Sequence, residues 1–210
     1  MNQKISVKKS TKQNILDAAW SLFLEQGYDE TTMNQIIEAS HSSRSTFYHY
    51  FRGKEDTLFH LAFYFDSTYE EWESRAKTAP SVIGFLIEFD RYIMENLEDS
   101  PYRRLLADLY GLEVRSSGPR HILNPERTYY HLVSRMMKRG LELEEITSSL
   151  SFKELAEMYI VIERGITYDW LLSQERYSLP QYSQRVIIPY LNSLRNPGWV
   201  PPADGSVKIV

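Results

Sequence analysis

Apolar residues return at helical intervals along almost the whole chain. Ile15, Ala18, Ala19, Leu22 and Phe23 fall at i, i+3, i+4, i+7 and i+8, which lines them along one face of an α-helix. Ser10 followed by Gln13 predicts a capping box at its start. Gly27 predicts its end, because helices commonly stop at a residue of positive φ. Thr32 with Gln35 opens a second helix whose stripe is Met33, Ile36 and Ile37. The polar run Ser40-His41-Ser42-Ser43 interrupts it, and a short third helix follows over Arg44 to Tyr50. After the turn Phe51-Arg52-Gly53, Lys54 opens a long helix predicted to run to about Lys77.

The remainder also reads as helices. One is predicted from Ser81 to about Glu98, and Ser100-Pro101 and Asn124-Pro125 supply start signals for two more, the second passing Tyr130 and Met137 to Gly140. Ser151 with Glu154 forms a further capping box ahead of Leu155, Met158, Tyr159, Ile162, Ile166 and Trp170. A last helix spans about Pro180 to Leu194, where Pro189 should kink it or end it early. From Asn196 the chain reads as an irregular tail. No segment alternates with the period of a strand, so the predicted fold class is all-α. The organisation is an N-terminal three-helix domain over 1–60 with a basic arm over 1–12, a larger helical domain over 61–195, and a tail over 196–210.

Composition narrows the function. The 210 residues are 42% hydrophobic and 25% charged, which is globular composition, and the net charge is −4. Bulk charge therefore does not point to nucleic acid or membrane. There is no Cys, which removes disulfides, thiol catalysis and Cys-ligated metals. With no apolar h-region between Met1 and Lys12 and no apolar run of bilayer length, the expectation is a soluble, cytoplasmic protein with no membrane partner. Catalytic constellations are missing too. The histidines at 41, 49, 60, 121 and 131 have no metal-ligand spacing, and there is no nucleophile elbow, phosphate loop or dinucleotide fingerprint. The carboxylate pairs Glu70-Glu71 and Glu144-Glu145 read as solvated faces. No enzyme activity, cofactor or metal is expected.

Local charge and helix spacing say more. The second and third helices are separated by about four residues, the arrangement of a helix-turn-helix in which one helix braces while the next enters the major groove. From Ala39 to Lys54 there is no Asp or Glu, yet Arg44, Arg52 and Lys54 are present. Lys4, Lys8, Lys9 and Lys12 form a second acid-free stretch, either a solvated end or an arm following the minor groove. Taken singly, Tyr48 and Tyr50 are amphipathic aromatics at a helix end and Arg44 a solvated charge. Phe47 and Phe51 read as core.

Thr32-Met33-Asn34-Gln35-Ile36, then Ser43-Arg44-Ser45-Thr46-Phe47-Tyr48-His49-Tyr50-Phe51-Arg52-Gly53-Lys54-Glu55-Asp56, closely resembles the DNA-binding domain of tetracycline-repressor (TetR) family regulators. Ile15-Leu16-Asp17-Ala18-Ala19, Leu22-Phe23 and Gly27-Tyr28 extend the resemblance over roughly the first 60 residues. It implies that Thr32 caps the second helix and touches phosphate, that Tyr48, Tyr50 and Lys54 grip the DNA backbone, and that Ser43, Arg44, Ser45, Thr46 and His49 face bases or adjacent phosphates. The turn departs from the family's Ala-Gly-Val, having Ser40-His41-Ser42. His tolerates positive φ better than most residues, while the Ser42 hydroxyl needs a partner.

Residues 61–195 hold 12 of the 15 tyrosines. The resemblance implies a ligand pocket among these helices. Candidates to line it are Phe63, Tyr64, Trp72, Phe89, Tyr110, Tyr130 and Met137, each of which packing alone would also explain. The resemblance also implies dimerisation through the last two long helices, with Tyr159, Ile162, Gly165, Ile166 and Trp170 as candidates. Gly165 costs its helix about 1 kcal/mol relative to Ala, which close approach of a partner helix, or tight packing within one subunit, would offset. The expected function is a homodimeric DNA-binding transcription regulator of a near-palindromic operator, a repressor released by a small apolar or aromatic ligand. An activator, a ligand-independent regulator, and a helical protein-interaction module whose helix-turn-helix only packs are the alternatives.

Overall fold

The computed structural model describes residues 10–75, 78–202 and 207–208. Among them are ten helices: α1 (Thr11–Gln26), α2 (Met33–Ala39), α3 (Arg44–Tyr50), α4 (Lys54–Phe59), α5 (Leu61–Arg75), α6 (Val82–Asp99), α7 (Leu105–Arg115), α8 (Thr128–Glu142), α9 (Phe152–Leu172) and α10 (Leu179–Ser193). A two-residue antiparallel pair, β1 (Thr78–Ala79) with β2 (Val207–Lys208), is added. The fold is all-α. No helix among the described residues is long and apolar enough to cross a membrane.

The chain divides into two compact units. The first takes residues 1–62 together with 104–121, and the second takes 63–103 and 122–210. The chain therefore passes between them three times, and the boundary read from sequence at residue 60 misses the return of α7 to the first unit. In that unit α1 packs on α2, α4 and α7. Ile15, Ala19, Trp20, Phe23, Ile36, Phe47, Phe51 and Leu58 are buried, and the Trp20 indole N–H donates to the Thr57 carbonyl at 2.9 Å. The expected long helix from Lys54 is interrupted at His60, whose backbone ψ of −14 tightens into a turn with N–H contacts to Asp56 and Leu58.

In the second unit α6 packs on α8 and most extensively on α10, while α9 lies between α8 and α10. The α6 stripe of Val82, Ile83, Leu86, Phe89, Ile93 and Met94 is buried. Its first amides have two caps, one local and one remote. Gly84 N–H donates to Ser81 Oγ at 2.8 Å, and the fully buried Glu145 carboxylate accepts from Val82 at 2.6 Å and Ile83 at 3.0 Å. Such a carboxylate is stabilised by the unpaired donors of a helix N-terminus.

Several start and stop signals act differently from expectation. Asn124 forms a side-chain turn, accepting from the Glu126 amide at 2.9 Å, so α8 begins only at Thr128. Ser100 likewise turns the chain onto Tyr102, and α7 begins at Leu105. Pro189 neither ends α10 nor shortens it, since the helix continues to Ser193. The tail is partly tied down: Asn196 donates to the Glu145 and Glu144 carbonyls, and Val207 is buried.

Candidate nucleic-acid interface

The helix-turn-helix is assembled by side-chain caps. Thr32 Oγ1 accepts from the Gln35 amide while Gln35 Oε1 accepts from the Thr32 amide at 2.8 Å, a complete capping box. Ser10 caps α1 through the Gln13 amide, but the Gln13 side chain donates forward to Asp17 rather than back, so that box is half formed. Gly27 ends α1 at φ 92°. In the connecting turn His41 occupies the left-handed region at φ 51°. The Ser42 hydroxyl finds its partner 2.9 Å away in Ser40 Oγ.

Ser43 caps α3 by accepting from the Thr46 amide at 3.0 Å, and its hydroxyl lies 2.8 Å from Ser45 Oγ and 2.7 Å from Thr46 Oγ1. Phe47 and Phe51 point into the core, as expected. Arg44, Tyr48, His49 and Tyr50 are exposed on the same short helix. Their neighbourhood is free of acid from Ala39 to Gly53. The Arg44 guanidinium donates to Asn34 Oδ1 at 2.7 Å, reaching from α3 to the first turn of α2.

Lys54 is placed otherwise than the resemblance implies. Its ammonium donates to three main-chain carbonyls of the α1–α2 loop, Tyr28 at 2.8 Å, Thr31 at 2.9 Å and Asp29 at 3.2 Å, and sits 4.4 Å from the centre of the Tyr28 ring. A lysine has three donors, and all three are engaged. Lys54 is a staple of the scaffold rather than an open phosphate clamp. Of the basic arm, Lys4, Lys8 and Lys9 lie outside the described residues, while Lys12 belongs to α1 with its ammonium 6.0 Å from the Phe51 ring centre. Nearby, His60 is pushed down to about 4, first by burial and then by Lys12, so it packs edge-on against Phe51 as a neutral ring.

Among the described clefts, none is bordered by more than one of the residues expected to line a pocket. Tyr110 lies on α7 in the first unit, Phe63 is exposed, and Phe89 and Met137 are fully buried. Trp72 stacks on Tyr92 next to Phe85 and Phe89, and Tyr64 borders a shallow cleft with Tyr92 and Asn96. Only Tyr130 borders the roomiest groove described, about 740 Å³ between α8 and α9, whose other walls include Phe152, Ala156, Ile160, Val161 and Arg164. Sequence reading missed those residues, although Phe152, Ala156 and Ile160 repeat every fourth position on α9.

The second unit also buries polar groups. Asp66 accepts two hydrogen bonds from Arg127, both at 2.9 Å. Ser183 and Gln184 donate to Asp90 at 2.6 and 2.7 Å, while Tyr129 donates to Glu163. Glu163 is raised well above the usual carboxylate range, by burial and then by the neighbouring Asp90 charge. Asp90 is raised too, by burial, against the lowering effect of its hydrogen bonds to Ser183 and Gln184 and of the Arg91 charge, so the two buried carboxyls resist being charged together.

The expected self-association residues divide. Tyr159, Ile166 and Trp170 are buried in their own subunit, with the Tyr159 hydroxyl donating to the Leu86 carbonyl and the Trp170 indole to the Tyr177 carbonyl. Ile162 is half-buried, and Gly165 is exposed with nothing within 4 Å of where a Cβ would stand. Tight packing within the subunit therefore does not explain Gly165. The outward face of α9 instead carries Met158, Val161, Tyr168 and Leu172, exposed by 43 to 65%.

A capped bracing helix, a tight turn and a short helix with an acid-free polar face define a DNA-binding helix-turn-helix, and the chain is a transcriptional regulator. Residues 15–61 match the family of bacterial regulatory proteins named for tetR, which places the likeness on the helix-turn-helix stretch. It is 22% identical to the regulator AcrR of Shigella flexneri over 90% of this chain and 94% of that protein. It is 23% identical to the fatty acid metabolism regulator protein of Bacillus subtilis over 90% and 98% of the two chains. Among solved structures, the Thermus thermophilus repressor FadR in complex with lauroyl-CoA shares the fold, with a TM-score of 0.69 at 18% identity over 91% of this chain and 98% of that one.

Proposed function

We propose that the chain is a homodimeric repressor that holds a near-palindromic operator and releases it when a small apolar ligand binds the second unit. The observation that carries the DNA half is α3: it presents Arg44, Tyr48, His49 and Tyr50 to solvent in a stretch without a carboxylate, in a protein of net charge −4. Tyr48, Tyr50 and the Thr32 hydroxyl serve as phosphate contacts. Arg44 and His49 face bases, and Ser43, Ser45 and Thr46 keep the N-terminal turn of α3 against the backbone. One seven-residue helix reads only a few base pairs, so two copies related by a dyad are needed. The outward apolar face of α9 around Gly165 supplies a surface for that dyad.

Support for a ligand comes from the α8–α9 groove, whose volume and largely apolar walls suit a ligand site, with Tyr130 and Arg164 as its directional groups. The lauroyl-CoA bound by the Thermus repressor makes an acyl-CoA, whose apolar acyl tail is the part such a groove would take, the first compound to try beside small apolar molecules. Selection of bound duplexes from random DNA tests the proposal. The recovered site should be a near-palindrome with half-sites ~34 Å or a multiple apart. Affinity should fall on the order of 10³–10⁵-fold between ~50 and ~200 mM salt if the dimer meets six to ten phosphates. An asymmetric site or a salt-insensitive complex would exclude this reading. For the ligand half, operator DNA must weaken ligand binding by the factor by which ligand weakens DNA binding, typically ~5–150-fold. Equal ligand affinities with and without operator would remove the ligand as an inducer.

A further inference from the structure

We propose that Asn34 is a positioning residue: from the first turn of α2 it aims the Arg44 guanidinium and so sets which base α3 prefers. The inference rests on the reading of Arg44 as a base contact. Arg44 Nη2 donates to Asn34 Oδ1 at 2.7 Å, the short distance of a charge-assisted hydrogen bond. That bond ties two exposed side chains on different helices, ten residues apart in sequence. An untethered arginine at a solvent-facing helix start samples many rotamers, all but one of which must be given up when it meets a base edge. A tether made before DNA arrives removes that cost, since a planar fork held on one side is preorganised on the other.

The neighbours leave Arg44 little else to bind. The hydroxyls of Ser43, Ser45 and Thr46 are engaged with one another at the cap of α3. Among the described residues no carboxylate lies within ion-pair distance of Arg44. Of the five guanidinium donors, one hydrogen on Nη2 is used, and the remaining edge still offers the two parallel N–H groups that a guanine O6 and N7 accept. The identity of the tether matters as much as its place. A carboxylate there would hold the guanidinium more strongly but would cancel its charge beside the phosphates. The amide of Asn34 holds it and leaves the charge intact.

The test uses the full chain and the duplex that the unaltered protein selects from random DNA, together with every single-base-pair substitution of that duplex. Asn34→Ala should reduce discrimination at the base pair read by Arg44 by about 3- to 10-fold, the size of coupling between contacting side chains, and leave the ratios at other positions unchanged. In an Arg44→Ala background the same substitution should add nothing. Asn34→Asp should keep the preference while weakening every duplex, most strongly at low salt, because its charge opposes the phosphates. Equal loss on all duplexes from Asn34→Ala, repeated in the Arg44→Ala background, would overturn the proposal by making Asn34 an independent backbone contact. A preference lost with Arg44→Ala but untouched by Asn34→Ala would overturn it while sparing the reading of Arg44. A flat profile for Arg44→Ala would remove that reading itself, and the tether's role with it.

Discussion

α3 and α9 bury aromatic residues in opposite styles. α3 has one apolar edge, with Phe47 turned into the core beside Phe51 of the following turn, and the rest of the helix is polar or amphipathic, exposed except for the half-buried Thr46. α9 has apolar residues on both sides: Leu155, Tyr159, Ile166 and Trp170 inward, Met158, Val161, Tyr168 and Leu172 outward. A helix with one apolar edge has a single way to sit, and what it leaves outside is available for a polar partner. A helix that is apolar on both sides has satisfied only half its surface within the chain. The two helices thus predict two kinds of partner, one charged and hydrated, the other another apolar face.

The largest effect separates the two faces of α9. Trp170→Ala should cost about 3–5 kcal/mol of folding stability by emptying a core site and orphaning the Tyr177 carbonyl. Val161→Glu should instead leave the monomer folded and abolish the dimer, as sedimentation at micromolar concentration would show. A folded dimer from the first and an unfolded chain from the second would reverse the assignment. Next comes Lys54→Met, which removes three donors from the α1–α2 loop and should destabilise the first unit by roughly 1.5–3 kcal/mol in denaturant titrations. Arg44→Ala should leave that midpoint unchanged. Equal midpoints for both would make Lys54 an open cation after all.

A subtler effect belongs to the second unit and depends on pH. Because the folded Glu163 binds its proton more tightly than the unfolded chain does, its contribution to stability is full below the ordinary carboxylate range and is lost as pH rises through its raised value. Within that window the loss approaches about 1.4 kcal/mol per pH unit. Glu163→Gln has no such proton to lose, so its stability relative to the unaltered chain should climb with pH across the window. Parallel stability curves would mean that Glu163 is already ionised. The smallest effect is at the turn between α2 and α3. His41→Gly relieves a left-handed histidine and should shift stability by no more than about 1 kcal/mol, leaving the selected DNA site unaltered.

The same contrast explains what could be read from the chain. Caps were legible because they are local: Thr32 with Gln35, Ser151 with Glu154 and the stop at Gly27 form within a few residues. The DNA-facing residues were legible because a run of landmarks fixes the register of α2 and α3. Lys54 shows the limit, since a lysine on an acid-free stretch reads as a cation for phosphate until three carbonyls from 23 to 26 residues away are found around it. On α9 the 3.6-residue period marks apolar positions without saying which face meets the subunit's own core, which is why Tyr159, Ile166 and Trp170 read from sequence as candidates for the partner. Asn124 carries a helix-start signal that serves equally well for a side-chain turn. The break at His60 has no Gly or Pro to announce it.

The return of α7 to the first unit bears on how such a regulator could be rewired. Leu105, Leu106 and Leu109 of α7 are buried in the unit that also contains α1 and α4. A hybrid repressor that joins only the first 60 residues to another protein's body would strip α1 and α4 of that cover. Exchanging operator preference between relatives is therefore a graft in two pieces, the N-terminal stretch and residues 104–121 together, or else a graft of α2 and α3 alone onto a scaffold left whole.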